Sequence, residues 1–390
     1  MAHPFQCSDE NPILATLIEH GFDGMSEAIA MLVNEAMRLE REHHLKAKPY
    51  ERTEARTDYA NGFKPRKIQT RIGTLDLSVP QTRSGEFYPN SLEKGLRSER
   101  ALKQAIAEMY LDGVSTRKVR KISEVLCGFE VTRSQVSRAA QELDEEFEKW
   151  RTRSLGKVVY VYLDARYEKV RVDGQVRDSA VLMAVGVNDA GIRSVLGVSV
   201  SLSEHEVHWR DFLLSLQQRG LHGVELIISD AHAGLANART TVFRNIPWQR
   251  CQFHMQQNAQ AYVPRKSMKE EVAQDIREIF NASSLEEAKR LLRLKVEKYK
   301  DSACKLSEWM EKNIPEGLTI HQFPVAHQKK IRTSNLIERL NREIKRRTKV
   351  VSIFPNEASC LRLVTAQLIE KSESWETGTR YLKFDVEIQT

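Results

Sequence analysis

Three acids are placed where they could do chemistry together. Asp164 ends the apolar run VVYVYLD, Asp230 ends VELIISD, and Glu338 stands near the front of RTSNLIERLNREIKRRTK, residues 332–349, which carries seven basic side chains and two acids. A strand end is where an α/β sheet presents functional side chains. It is also where an aspartate turns the chain or caps a helix, the commoner role for either one taken alone. At about 100° per residue, Leu336, Ile337, Leu340 and Ile344 cluster on one side of a helix, and Glu338 projects away from them with Asn341, Arg342 and Lys345. Asn335 and Glu338 also have the spacing of a capping box, so the glutamate either satisfies a backbone N–H or serves as a third carboxylate. Three converging carboxylates make a hard-oxygen site with open positions, suited to Mg2+ or Mn2+. Two such ions about 3.5–4 Å apart support in-line phosphoryl displacement. Arg339, Arg342, Lys345, Arg346 and Arg347 would then hold a phosphate backbone.

A second group is RCQFH, where Cys251 and His254 have C-x-x-H spacing. Zinc needs a second ligand pair, and His321, His327 and Cys304 are isolated, so a buried thiol beside a hydrogen-bonded histidine is the expectation. Nucleophilic catalysis by Cys251 lacks a thiolate-stabilising context in the sequence, which shows no helix start there. SEHEVHWR reads as a solvated acidic first turn of a helix.

These residues need elements to position them. From Val158 the chain reads as short strands, VVYVYLDA, EKVRVDGQV with a hairpin at Asp173-Gly174, SAVLMAVGV, a turn at NDAG and IRSVLGVSV. The helix HWRDFLLSLQQRG and the apolar strand VELIISD follow, and WQRCQF gives another short strand. Antiparallel strands followed by an α/β unit predict a mixed sheet flanked by helices. From about Met255 to Lys330 the pattern is mainly helical.

Upstream, GMSEAIAMLVNEAMRLEREHHL predicts an amphipathic helix capped by Ser26, with Ile29, Leu32, Val33, Ala36 and Leu39 on its apolar face and dimer packing as one use. KIQTRIGTLDLSVP predicts a hairpin about Gly73-Thr74. Three helices are legible from Ser98 to Trp150, the third opened by a Thr132/Gln135 capping box and carrying Val136, Ala139, Ala140, Leu143, Phe147 and Trp150 on one stripe. Its other face offers Arg133, Gln135, Ser137, Arg138 and Gln141. A short Gly-containing turn before such a helix is the picture of a helix-turn-helix, and a plain three-helix bundle fits the same pattern.

At 390 residues, 41% hydrophobic and 29% charged, the composition is that of a globular protein of two or three domains. A net charge of +7 and pI near 9.0 are compatible with a polyanionic partner. Five scattered cysteines, Cys7, Cys127, Cys251, Cys304 and Cys360, suggest no disulfide framework, and no apolar run of about 18 residues or signal peptide is present. The expectation is a cytoplasmic protein without membrane contact.

YLDARYEKVR, AVLMAVGVN, WRDFLLSLQQRGL, ISDAHAGL, WQRCQFHMQQNA and TSNLIERLNREIKRRTKVVSIFPN together resemble the motif series of bacterial insertion-sequence transposases of the Mutator type. YANGFKPRKIQTRIGTLDLSVPQTR and EMYLDGVSTRKVRKISEVLCG extend the resemblance over nearly the whole chain. It implies a DDE recombinase whose α/β core is an RNase H-like mixed sheet with a helical insertion, preceded by a mainly helical DNA-binding region with a helix-turn-helix. The matching acids are Asp164, Asp230 and Glu338, holding two Mg2+ or Mn2+ ions. Cys251 and His254 match the family's C/D(2)H signature near the active site, with Asn335 and Arg342 beside it. The expected organisation is 1–96 for dimer and DNA contacts, 97–150 for the helix-turn-helix, 151–255 for the first part of the core, 256–330 for the insertion and 331–390 for the last part with the catalytic helix. The helix-turn-helix, with Arg117, Lys118, Arg133, Gln135, Ser137 and Arg138, would bind terminal inverted repeats. The implied partners are those repeats, target DNA and a second copy of the chain, in a bacterial, nucleoid-associated setting. A catalytically silent DNA-binding protein and an RNase H-like nuclease without strand transfer remain the alternatives.

Overall fold

A computed structural model describes residues 11–92, 94 and 97–384, and the chain divides into two compact units after Leu143. Cys7 lies outside the described residues.

The first unit pairs a helix–hairpin layer with a small helical cluster. Helices α1 (Pro12–His20) and α2 (Met25–Leu45) precede strands β1 (Ala60–Thr70) and β2 (Gly73–Thr82). α2 starts one residue before Ser26, behind Gly24 and without a side-chain cap. The hairpin turns at Arg71-Ile72, two residues before the expected position, because Thr70 pairs with Gly73 and its hydroxyl donates to the Gly73 carbonyl. That register faces Ile68, Leu75, Leu77 and Val79 toward Ala30 and Met37 of α2. The buried stripe of α2 therefore runs through Ala30 and Met37, and Leu32 and Leu39 stay exposed. Helices α3 (Arg100–Leu111), α4 (Thr116–Cys127) and α5 (Arg133–Gln141) enclose Leu102, Ile106, Val119, Val136 and Ala140. Gly128 at φ +70 ends α4 in the left-handed conformation that lacks a Cβ penalty. The capping box of Thr132 and Gln135 is present.

The expected single helix through Trp150 is broken. α5 ends at Gln141, and α6 (Asp144–Thr152) belongs to the second unit, where the Asp144 carboxylate receives both the Nε and an NH group of Arg362 at 2.6 and 2.7 Å.

The second unit is built on one mixed sheet. β3 (Tyr160–Val172) and β4 (Gln175–Val187) are long continuous strands, joined at Asp173-Gly174 where both residues have positive φ, as the tightest hairpin turn requires. β5 (Arg193–Ser201) follows the Asn188–Gly191 turn. α7 (Glu206–Gln218), β6 (Leu226–Ser229), α8 (Ala233–Val242) and β7 (Trp248–Arg250) complete the layer. The strand order is β5-β4-β3-β6-β7, antiparallel from β5 to β3 and parallel from β3 to β7. On one face Val161, Leu163, Leu182 and Leu196 pack against Trp209, Phe212, Leu213 and Leu235 of α7 and α8.

A helical segment follows: α9 (Gln252–Ala259), α10 (Lys269–Phe280), α11 (Leu285–Tyr299), α12 (Cys304–Asn313) and α13 (Val325–Ile331). It has its own core of Val272, Ile276, Leu292, Leu306 and Met310. α14 (Asn335–Val351) and α15 (Glu357–Glu376) return to the sheet. Among the described residues no helix is long and apolar enough to cross a membrane.

Candidate active site

The register of three parallel strands lines up the first two acids. Leu163 of β3 pairs with Ser229 of β6, and Ser229 pairs with Arg250 of β7. The next residues along are Asp164, Asp230 and Cys251, which therefore stand in a row at the carboxyl ends of β6 and β7; Asp164 does not end its strand as expected, because β3 stays paired with β4 as far as Val172. The Asp164 carboxylate accepts the Ala165 N–H at 2.9 Å, and the Asp230 carboxylate accepts the Ala231 N–H at 2.7 Å.

Period-two alternation then sends Asp164, Arg166 and Glu168 to one face of β3, and α14 is bound to each of them. Asn341 Nδ2 donates to Asp164 Oδ2 at 2.8 Å, Arg166 donates to the Asn341 carbonyl at 2.6 Å, and the Thr348 hydroxyl donates to Glu168 at 2.8 Å. Beyond the helix, Phe354 bridges to Val170, extending the same attachment. This places Glu338, one turn before Asn341, on the side of α14 that faces the carboxylates of Asp164 and Asp230. The charges of Asp230, Glu338 and His254 all act on Asp164.

Glu338 is not part of an Asn335 capping box. Ser334 holds the N-cap position without a side-chain cap bond, and its hydroxyl reaches Glu338 Oε1 at 3.4 Å. Asn335 is exposed and lines a separate cavity with Arg193, Lys330, Arg339 and Trp375. The carboxylate of Glu338 is thereby left for the site.

Burial pushes the Asp164 carboxyl up to about 7, and Asp230 and Glu338 raise it further against the pull of the Ala165 N–H and His254. Ionising it at neutral pH costs about 4 kcal/mol more than for a solvated aspartate. A hard divalent cation bound by this oxygen donor set would offset that cost, so the residues present fit such an ion.

Cys251 corrects the sequence expectation. It is the N-cap residue of α9, and its Sγ accepts the Ser334 N–H at 3.3 Å. Burial pushes the thiol up, and His254 and Ser334 more than reverse this, leaving it below its ordinary value. The nearby sulfur raises His254 to about 9 against the effect of burial, with Asp230 and Glu338 adding to the rise. His254 Nε2 lies 3.7 Å from Glu338 Oε1.

The chain matches the family model described as Transposase, Mutator family, over residues 9–378. It belongs to the Mutator family of transposases. The transposase for insertion sequence element IS406 of Burkholderia multivorans is 53% identical over 97% of this chain and 98% of its own length. That for ISRM5 of Rhizobium meliloti is 43% identical over 93% and 91% of the two chains, and that for IS256 in transposon Tn4001 of Staphylococcus aureus 38% over 95% and 97%.

In this Mutator-family chain the basic residues singled out in the sequence divide by environment. Arg339, Arg342, Lys345 and Arg346 are exposed on α14, whereas Arg347 is half-buried and pairs with Glu370 at 3.2 Å. In the first unit Arg117, Lys118, Arg133, Ser137 and Arg138 are exposed. Gln135 is otherwise engaged: its side chain accepts the Thr132 N–H at 2.7 Å and donates to Gln69 at 3.1 Å, so it is not free to read a base.

Sequence reasoning placed Asn341 on the right face but missed its bond to Asp164, and it missed Arg166, Glu168 and Ser334 altogether. Alternation along β3 is the signal that could have found Arg166 and Glu168. Nothing local marks Ser334.

Proposed function

We propose that this chain is the DDE transposase of an insertion sequence, binding the terminal inverted repeats of its element and catalysing cleavage and strand transfer at their ends. The observation that carries the reading is the alignment of Asp164 with Asp230 across β3 and β6, with Glu338 brought to the same edge by the Asn341–Asp164 bond. The strand order, three antiparallel then two parallel, supports an RNase H-like core.

Asp164, Asp230 and Glu338 would hold two Mg2+ or Mn2+ ions. Bound there, the ions supply activation of the attacking oxygen and charge stabilisation of the leaving one. The chain's own residues do the positioning. Asn341 fixes one oxygen of Asp164, Arg166 and Thr348 fix α14 against β3, and Arg339, Arg342, Lys345 and Arg346 offer cations to the phosphate backbone. Both reactions are in-line displacements at phosphorus, first by water and then by the freed 3′ hydroxyl, so one site serves both and no covalent protein intermediate is needed.

In the first unit the Gly128 turn and the Thr132 cap support a helix-turn-helix formed by α4 and α5, with Arg133, Ser137 and Arg138 toward base edges and Arg117 and Lys118 toward phosphate. Two ends must be joined, which calls for at least two protomers. Exposed Phe22, Leu32 and Leu39 support α2 and its preceding turn as a place for a second copy.

The test is to incubate purified protein with inverted-repeat DNA and Mg2+ and to follow strand cleavage and joining on gels. Cleavage at the element ends followed by joining is expected. Binding without chemistry would leave a DNA-binding protein, and hydrolysis without joining would leave a nuclease.

A further inference from the structure

The sequence holds half of a zinc site at Cys251 and His254, and the fold brings in a third ligand from 84 residues beyond the histidine: a ligand atom from each of Cys251, His254 and Glu338 lies within 4.8 Å of the other two. Tetrahedral zinc, with bonds of about 2.0–2.3 Å, sets its ligand atoms about 3.3–3.8 Å apart. The His254 Nε2 to Glu338 Oε1 edge is already 3.7 Å. The remaining edges need to close by about 1 Å or less, and the two side chains that would rotate, His254 and Glu338, are only partly buried, at 24% and 26% exposure.

The donor chemistry points the same way. Sulfur, imidazole nitrogen and carboxylate oxygen together suit Zn2+ and not Mg2+, which takes oxygen ligands in octahedral geometry. Cys251 is prepared as a thiolate by its position at the N-terminus of α9 and by the Ser334 N–H on its sulfur. Three protein ligands leave the fourth position open.

We propose that Cys251, His254 and Glu338 bind one zinc ion, and that zinc held there withdraws Glu338 from the carboxylate set that would hold Mg2+. The second half of this statement rests on the reading of Glu338 as a ligand of the reaction's metal, and the first half does not. Zinc would act as a reversible inhibitor whose site overlaps the active site through one shared side chain.

Cobalt tests the binding separately from any reaction. The full-length chain, stripped with a chelator, is titrated with Co2+ while absorbance is recorded. A thiolate-to-cobalt band saturating at one ion per chain is expected, displaced by Zn2+ and not abolished by millimolar Mg2+, which shares only Glu338 with the site. Cys251→Ser should abolish the band, and His254→Gln and Glu338→Gln should each weaken Zn2+ binding at least tenfold. Absence of the band in the folded chain overturns the site. If Cys251→Ser does not fold, unchanged zinc affinity in both other variants overturns it.

The exclusion is then read on inverted-repeat DNA with Mg2+. Zinc at the concentration that saturates the cobalt site should lower cleavage at least tenfold, with recovery on chelation, and should change His254→Gln less than twofold relative to that variant's own zinc-free rate. Cleavage indifferent to bound zinc overturns the exclusion. A chain with no cleavage before zinc is added counts against the strand-transfer reading instead, and the cobalt band decides the zinc site on its own.

Discussion

Two aspartates in the second unit, Asp275 buried and Asp164 half-buried, receive opposite treatment. Asp275 on α10 accepts Lys295 at 2.8 Å, Lys298 at 2.7 Å and the Tyr299 hydroxyl at 2.6 Å, and these contacts outweigh burial and hold its carboxyl below the ordinary range. Asp164 has a single amide, Asn341, and one backbone N–H, and burial holds its carboxyl well above that range. Both carboxylates are partly or wholly withdrawn from water. Asp275 accepts hydrogen bonds from two lysines, whereas His254 and Arg166 act on Asp164 only through their charge and do not offset its burial, as expected if the first carboxylate stabilises the fold and the second takes a cation from outside.

The largest expected effect breaks the second member of the pair. Asp164→Asn, Asp230→Asn and Glu338→Gln should each lower Mg2+-dependent cleavage by more than about 100-fold, beyond the range for residues that only orient a metal ligand, while melting temperature stays at or above that of the parent. A loss of fold in Asp164→Asn would make it a structural acid like Asp275. Asn341→Ala is the intermediate case, since it leaves the carboxylates and removes their positioning; a fall of about 10–100-fold in cleavage is expected, with folding preserved in circular dichroism.

Asp275→Asn should do the reverse. It takes from Lys295 and Lys298 one of two carboxylates each, leaving Glu278 and Glu271 at 2.7 Å, and should cost up to about 3 kcal/mol in denaturant unfolding, no more than the low end for a broken buried pair. DNA cleavage by the folded fraction should not change.

pH sharpens the contrast through its sign. The Asp275 value is lowered on folding, so its contribution is present above the unfolded value near 4 and is lost as pH falls below it. The Asp164 value is raised on folding, so in metal-free protein its protonated form is the favoured one, and stability declines as pH rises from about 4 to about 7 and is level above that. Thermal melts of Asp275→Asn and Asp164→Asn against the parent should therefore converge at acid pH for the first and, for the second, diverge as pH rises toward 7 and stay apart above it. The smallest effect repeats the theme with cations: Arg346→Ala should reduce the salt slope of DNA binding by about 1, whereas Arg347→Ala, already paired with Glu370, should change it less.

The acids were legible in the sequence because each sits at a recognisable position, Asp230 just past a strand end, Asp164 at the end of an apolar run that proves to lie inside a longer strand, and Glu338 on the polar side of an apolar helix stripe. What joins them was not. The Asn341–Asp164 bond spans 177 residues, and no local pattern carries such a contact. The Cys251 helix start was hidden because the residue before α9 is none of the usual capping types and the cap uses no side-chain bond. The capping box that Asn335 and Glu338 suggest does not form, since the chain enters α14 through Ser334, which makes no side-chain cap bond and whose N–H is drawn to the Cys251 sulfur. The continuous stripe from Val136 to Trp150 concealed the break between α5 and α6, because hydrophobic period alone does not register the Arg362 guanidinium that takes Asp144.

The attachment of α14 to β3 has a mechanical consequence. Its contact points, from Asn341 to Thr348, are spread over about 10 Å of helix. A duplex gripping the exposed arginines and lysine of the same helix would load that whole stretch at once, and tension along the DNA would reach Asp164 as a push or pull on a rigid strut, while a one-turn slip of the helix would carry Glu338 about 5.4 Å out of alignment.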